Sequence, residues 1–235
     1  MHGAARMTTR ACKRTIKRHG AGPQCGFSIL ELIVVTAILT AVIGIVTDGM
    51  TQIEKKSASD VNKVGLAQES RQFMDQILRD LRQSGFPGIA LFDPTTLTSG
   101  TDCTQDLNVA CPLLSFSSSA IHFEGDIDGS GVSDVYIQIV PGAGGNCPCV
   151  LQRGTVLKSV GGTPAYYTEL DNVMSQNVFT AYKYDGTAYD PSADDLTSIK
   201  NIGITLYVQS PQPDVNQTST TYPTTTMVSE ARINN

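Results

Sequence analysis

Three groups of residues in this chain carry chemistry by their type and spacing. The first is Glu31, the only charged side chain in the twenty-residue run FSILELIVVTAILTAVIGIV at residues 27–46. A carboxylate at the centre of a membrane helix costs about 2.5–3.5 kcal/mol, and less near its end, so Glu31 asks for a partner of opposite charge. The second is Asp126-Ile127-Asp128-Gly129-Ser130-Gly131-Val132-Ser133-Asp134. Side-chain oxygens on Asp126, Asp128, Ser130 and Asp134, a Val132 carbonyl and a Gly at the sixth position suit the start of a Ca2+ loop. The twelfth position is Ile137, which excludes a full EF-hand, although Glu124 is close enough in sequence to complete a site. The other reading of the same residues is a hairpin turn in which Asp and Gly satisfy local geometry. The third group is the cysteines Cys103, Cys111, Cys147 and Cys149. Local pairing of Cys103 with Cys111 is favoured. A bridge across the single Pro148 would be strained, which keeps cross-pairing of the two clusters open. Zinc is disfavoured because no His lies near them, although a reduced Cys-Pro-Cys is compact enough to hold a metal.

The elements that must position these groups follow from charge and periodicity. Residues 1–26 hold Arg6, Arg10, Lys13, Arg14, Lys17 and Arg18 and no acid. Subtracting those six from the chain's 17 basic residues leaves 11 against 22 acidic side chains in residues 27–235. A body with a balance of −11 is a poor partner for a phosphate backbone, so no nucleic acid is expected. Twenty residues at about 1.5 Å each span a bilayer core of roughly 30 Å. With the basic flank first, the positive-inside rule leaves residues 1–26 in the cytoplasm and the rest outside. The apolar run is longer than that of a secretory signal, and no clear cleavage pattern follows it.

The residues around Glu31 sharpen this. Gly26-Phe27-Ser28-Ile29-Leu30-Glu31-Leu32 resembles the prepilin processing site of type IV pilins and type II secretion pseudopilins. The resemblance implies cleavage between Gly26 and Phe27 by prepilin peptidase, N-methylation of Phe27, and Glu31 as the fifth residue of the mature chain. It also implies an inner-membrane assembly platform and other pilins or pseudopilins as partners, met through the N-terminal helix. Location follows: bacterial inner membrane, single-pass, with a periplasmic head, and then pilus or pseudopilus. Cleavage would expose a buried amine in an apolar helix, and a carboxylate from a neighbouring helix is its natural counter-charge. The leader counts 26 residues from Met1, with Met7 as an alternative start. Cys25 does not mark a lipoprotein, because the apolar region follows it.

Beyond residue 46 the pattern turns amphipathic. Leu66, Ser70, Phe73, Ile77 and Leu81 recur at helical spacing, with Met74 and Leu78 alongside, and Gly85 then Pro87 reads as the stop. The expected organisation is a leader (1–26), a transmembrane or filament-core helix (27–46), an amphipathic helix (47–85) and a β-rich head (86–235). Strands are expected at 120–123 and 135–140 as a hairpin, at 149–153 and 155–158 as a pair turning at Gly154, and at 178–184, 199–208 and 224–233, with a polar loop near 211–223. The fold class is α+β: a long N-terminal helix packed on an antiparallel sheet. Arg79-Asp80-Leu81-Arg82-Gln83-Ser84-Gly85-Phe86-Pro87-Gly88, Leu151-Gln152-Arg153 and Ala231-Arg232-Ile233-Asn234-Asn235 resemble the J-type minor pseudopilin and the W-type minor pilin. The resemblance implies a structural subunit of a tip or priming complex, with no required cofactor. A tip adhesin or secretion-substrate binding module, using loops 88–118 and 211–223, is the alternative. No nucleophile elbow, phosphate loop or zinc-protease helix occurs, and His122 lies inside an expected strand, so no enzyme is expected.

Overall fold

The computed structural model describes residues 28–93, 95–97, 102–214 and 221–233. The chain divides into two units, Met1–Thr51 and Gln52–Asn235. Helix α1 (Ile29–Gln83) supplies all the described structure of the first unit and opens the second. The second unit continues with strands β1 (Ser115–Phe116), β2 (Ala120–Gly125), β3 (Ser133–Val140), β4 (Cys149–Leu157), β5 (Ala165–Val173), β6 (Phe179–Lys183), β7 (Ile199–Gln209) and β8 (Thr224–Arg232). The fold is α+β.

All strand pairs are antiparallel. Strands β1 to β5 form a meander. β7 then organises the far half: β8 lies along one edge from Asn201 to Gln209. β6 takes the other edge from Ile199 to Ile204, and β5 touches that same edge where Val173 lies beside Val208. The alternation of β3, with every second residue buried, shows how the sheet presents one greasy face. That face carries Phe123, Ile137, Leu151, Phe179, Ile204 and Leu206, and the second unit's part of α1 lays Leu66, Phe73, Met74, Ile77 and Leu81 into the same cluster. The helical stripe expected from spacing is thus core.

Three elements depart from expectation, the first being the two-residue β1, where no strand is expected. Residues 149–158 do not turn at Gly154: β4 runs straight through it, pairing it with Tyr136 on one side and Tyr166 on the other. The glycine is needed for close approach. A Cβ there would sit 3.0 Å from the Tyr166 ring and 3.1 Å from Pro164 Cβ, so the tyrosine occupies the space a side chain would take. β5, with Glu169, Asp171 and Asn172, is an additional strand. Most of its side chains are exposed, so backbone pairing to β4 holds it in place more than burial does.

Candidate functional site

Gly26 and Phe27 lie outside the described residues. Glu31 sits in the first turn of α1, where a carboxylate also complements the helix dipole. Every residue from 28 to 58 is exposed, Ile29 at 80% and Ile45 at 73%. The threonine hydroxyls of this stretch nevertheless turn back onto the helix backbone. Thr36, Thr40 and Thr47 donate their hydroxyls to the carbonyls of Leu32, Thr36 and Ile43, each at 3.0 Å, which is how hydroxyls are satisfied in a medium without water. Glu31 has no ion-pair partner among the described residues. By length and composition the helix can cross a membrane.

The acidic turn between β2 and β3 uses its side chains locally. Asp126 Oδ1 accepts from the Gly129 and Gly131 N–H groups at 2.8 and 3.4 Å. Asp128 Oδ1 accepts from Ser130 N–H at 2.9 Å and the Ser130 hydroxyl at 2.6 Å, and these bonds hold its carboxyl below the ordinary 3.8. The Val132 carbonyl accepts from Lys158 N–H at 2.9 Å. Asp134 Oδ1 lies 2.9 Å from His122 Nε2, and the His122 ring stacks on Tyr136 with centroids 3.9 Å apart. Ca2+ needs six to eight oxygens converging on one point. Among the described residues no group of three or more His, Cys, Asp or Glu is arranged to hold a metal. Asp126, Asp128 and Asp134 each direct an Oδ1 to a partner within the turn or on β2.

Glu124 belongs to a different arrangement. Its Oε2 accepts from Cys111 N–H at 2.8 Å and from Lys158 Nζ at 2.7 Å. Lys158 Nζ also donates to the carbonyls of Cys103 and Val109 at 2.6 and 2.9 Å. The loop that these contacts pin is closed by the Cys103–Cys111 disulfide, Cα atoms 5.3 Å apart. Burial raises the Glu124 carboxyl above its ordinary 4.5, against the bonds from Lys158 and Cys111 that pull it down. Cys147 and Cys149 bridge each other with Cα atoms 4.4 Å apart, so both pairings are local and the two clusters are not cross-linked.

Two stretches quoted above for a family resemblance meet in space. Arg153 of β4 donates to Asp80 Oδ2 of α1 through Nε at 2.9 Å and Nη2 at 2.8 Å, a two-pronged bond. Burial still raises the Asp80 carboxyl, with Arg153 opposing it. Sequence reasoning did not reach the role of Lys158 or the pairing of Lys63 with Asp214 at 2.7 Å. A lone Lys in a strand-like run carries no local sign that it will be buried. No protein-family model, curated protein or solved structure matches the chain.

Proposed function

We propose that the chain is a minor pilin or pseudopilin. It is cut between Gly26 and Phe27, methylated at Phe27, held in the bacterial inner membrane with its head in the periplasm, and added to the tip or priming complex of a type IV pilus or type II secretion pseudopilus. One observation carries this reading: an apolar run at residues 27–46 whose lone charge is Glu31 and whose described side chains, from 28 on, are all exposed. Such a surface asks for lipid or sister helices, and its carboxylate asks for a cation at the same depth. A neighbour's freshly exposed α-amine at Phe27 is that cation.

The test is co-expression with a prepilin peptidase and mass spectrometry of the product. Loss of residues 1–26 with one added methyl group is expected, and an intact leader would refute the reading. Glu31→Ala should still be processed and reach the membrane, yet be lost from the sheared filament fraction. Unchanged incorporation would remove the pairing role from Glu31.

A further inference from the structure

A cleft of about 420 Å³ opens on the head between the β1–β2 turn, β6 and the segment that follows β6. Buried Phe179 and Ala181 line it, together with Phe116 and Ser117 on one side and Tyr182, Tyr189 and Pro191 on the other. Backbone bonds fix these walls. The N–H groups of Val178 and Phe179 both donate to the Ser118 carbonyl, at 2.9 and 3.0 Å, and Tyr189 N–H donates to the Ala181 carbonyl at 2.9 Å. Phe116 and Tyr189 meet edge to face with ring centroids 5.8 Å apart. Tyr182 is left 38% exposed.

The rim is acidic. Residues 183–195 hold one cation, Lys183, against Asp185, Asp190, Asp194 and Asp195, a local balance of −3. Lys183 bonds Asp194 at 3.1 Å, and among the described residues no ion pair engages Asp185, Asp190 or Asp195. Hydrogen bonds from Thr187, from Ser192 and from the Asp190 N–H hold Asp185, Asp190 and Asp194 respectively below the ordinary 3.8, so all three are charged at neutral pH. The field of Asp194, Asp195 and Asp190 reaches the cleft: burial first, then these three, push the Tyr189 phenol above its ordinary 10.0.

We propose that this cleft receives a basic side chain, arginine or lysine, presented by a partner polypeptide. Aromatic faces carry negative charge density that attracts a cation, and a guanidinium adds planar stacking and a charge complementary to the nearby carboxylates. A neutral glycan would also stack on these rings, but it has no use for the charge. The proposal is independent of the filament reading, since the cleft lies wholly within the head.

The test is fluorescence anisotropy of dansyl-tetra-arginine with the full chain in nonionic micelles at low ionic strength, with dansyl-tetra-glutamate and maltohexaose as comparators. Tetra-arginine should bind, and added salt should weaken it. Tyr182→Ala leaves the net charge unchanged and should weaken it about fivefold, the effect of one cation–π contact. Ala188→Arg, at an exposed position lining the cleft, supplies a guanidinium in place and should weaken it similarly. Equal affinity for the parent chain and both variants would reduce the effect to diffuse attraction by an acidic body and overturn the proposal. Preferential binding of maltohexaose would overturn it in favour of a glycan.

Discussion

At Lys158 one ammonium serves three acceptors, the Glu124 carboxylate and the carbonyls of Cys103 and Val109. The Lys158 and Glu124 side chains are only 7% and 5% exposed. Removing one partner of a buried pair leaves the other charge uncompensated, which costs about 3–5 kcal/mol. Lys158→Met should therefore lower the urea midpoint strongly, and adding Glu124→Gln should recover part of the loss, because the stranded charge is gone. The pair also sets a pH dependence. Glu124 and Asp80 both bind their proton more tightly in the folded chain than their ordinary 4.5 and 3.8. Folded protein holds the extra proton, so this stabilisation is complete below those values and is lost as pH rises through the raised ones. The capping aspartates Asp102, Asp128, Asp185 and Asp190 are shifted downward. Their contribution is present above pH 3.8 and lost as pH falls through the lowered values. Unfolding midpoints measured from about pH 4.5 to 7 should show a shallower decline in the Glu124→Gln/Lys158→Met protein than in the parent chain.

Among the elements, α1 and β2 meet in a tight seam. Gly85 N–H donates to the Glu124 carbonyl, and Asp126 N–H to the Phe86 carbonyl, both at 2.8 Å. These bonds clamp Gly125 against the helix end, and a Cβ on it would sit 2.7 Å from the Gln83 carbonyl oxygen. Backbone cannot give way as a side-chain tip can, so Gly125→Ala should destabilise by about 1–3 kcal/mol. Gly65→Ala, where nothing lies within 4 Å of the added methyl, should instead stabilise by about 0.5–1 kcal/mol through helix propensity. Denaturant titration of the two variants reads both signs. The same scale shows what the sequence makes legible. The α1 core stripe from Leu66 to Leu81, the β2–β3 hairpin and β7 stand on burial, whereas β8, with Ala231 its one buried residue, keeps a regular alternation of exposed and half-buried side chains. β5 was not legible, because a strand with most side chains in solvent has no alternation to read. Gly154 misled because a glycine between β-type residues signals a turn unless the facing Tyr166 is known. The acidic turn was legible as a turn. Whether its carboxylates would converge or cap their own amides depends on side-chain direction, which spacing does not encode.

Across the whole chain, burial and apolarity are separated along the sequence. Among the described residues every buried side chain lies at Ser59 or later, within Gln52–Asn235, while the most apolar stretch is exposed throughout. A chain beginning at residue 52 keeps the complete hydrophobic cluster, since its first member is Leu66. It also keeps Lys63 and Ser59, which meet Asp214 at 2.7 and 3.3 Å. It loses the exposed apolar stretch from Ile29 to Val46, whose contact with water is disfavoured by roughly 25 cal/mol per Å². That shortened chain should remain in solution without detergent and unfold in one cooperative step. The full chain should stay in the pellet when membranes are washed with alkaline carbonate. Beginning instead at residue 66 removes the Lys63–Asp214 pair and with it the hold on the segment after β7, so that version should unfold at lower denaturant. Recovery of the full chain in the carbonate supernatant would break the link between the exposed apolar helix and the membrane. Aggregation of the chain starting at 52 would show instead that the head draws its stability from upstream of the residues that bury its core.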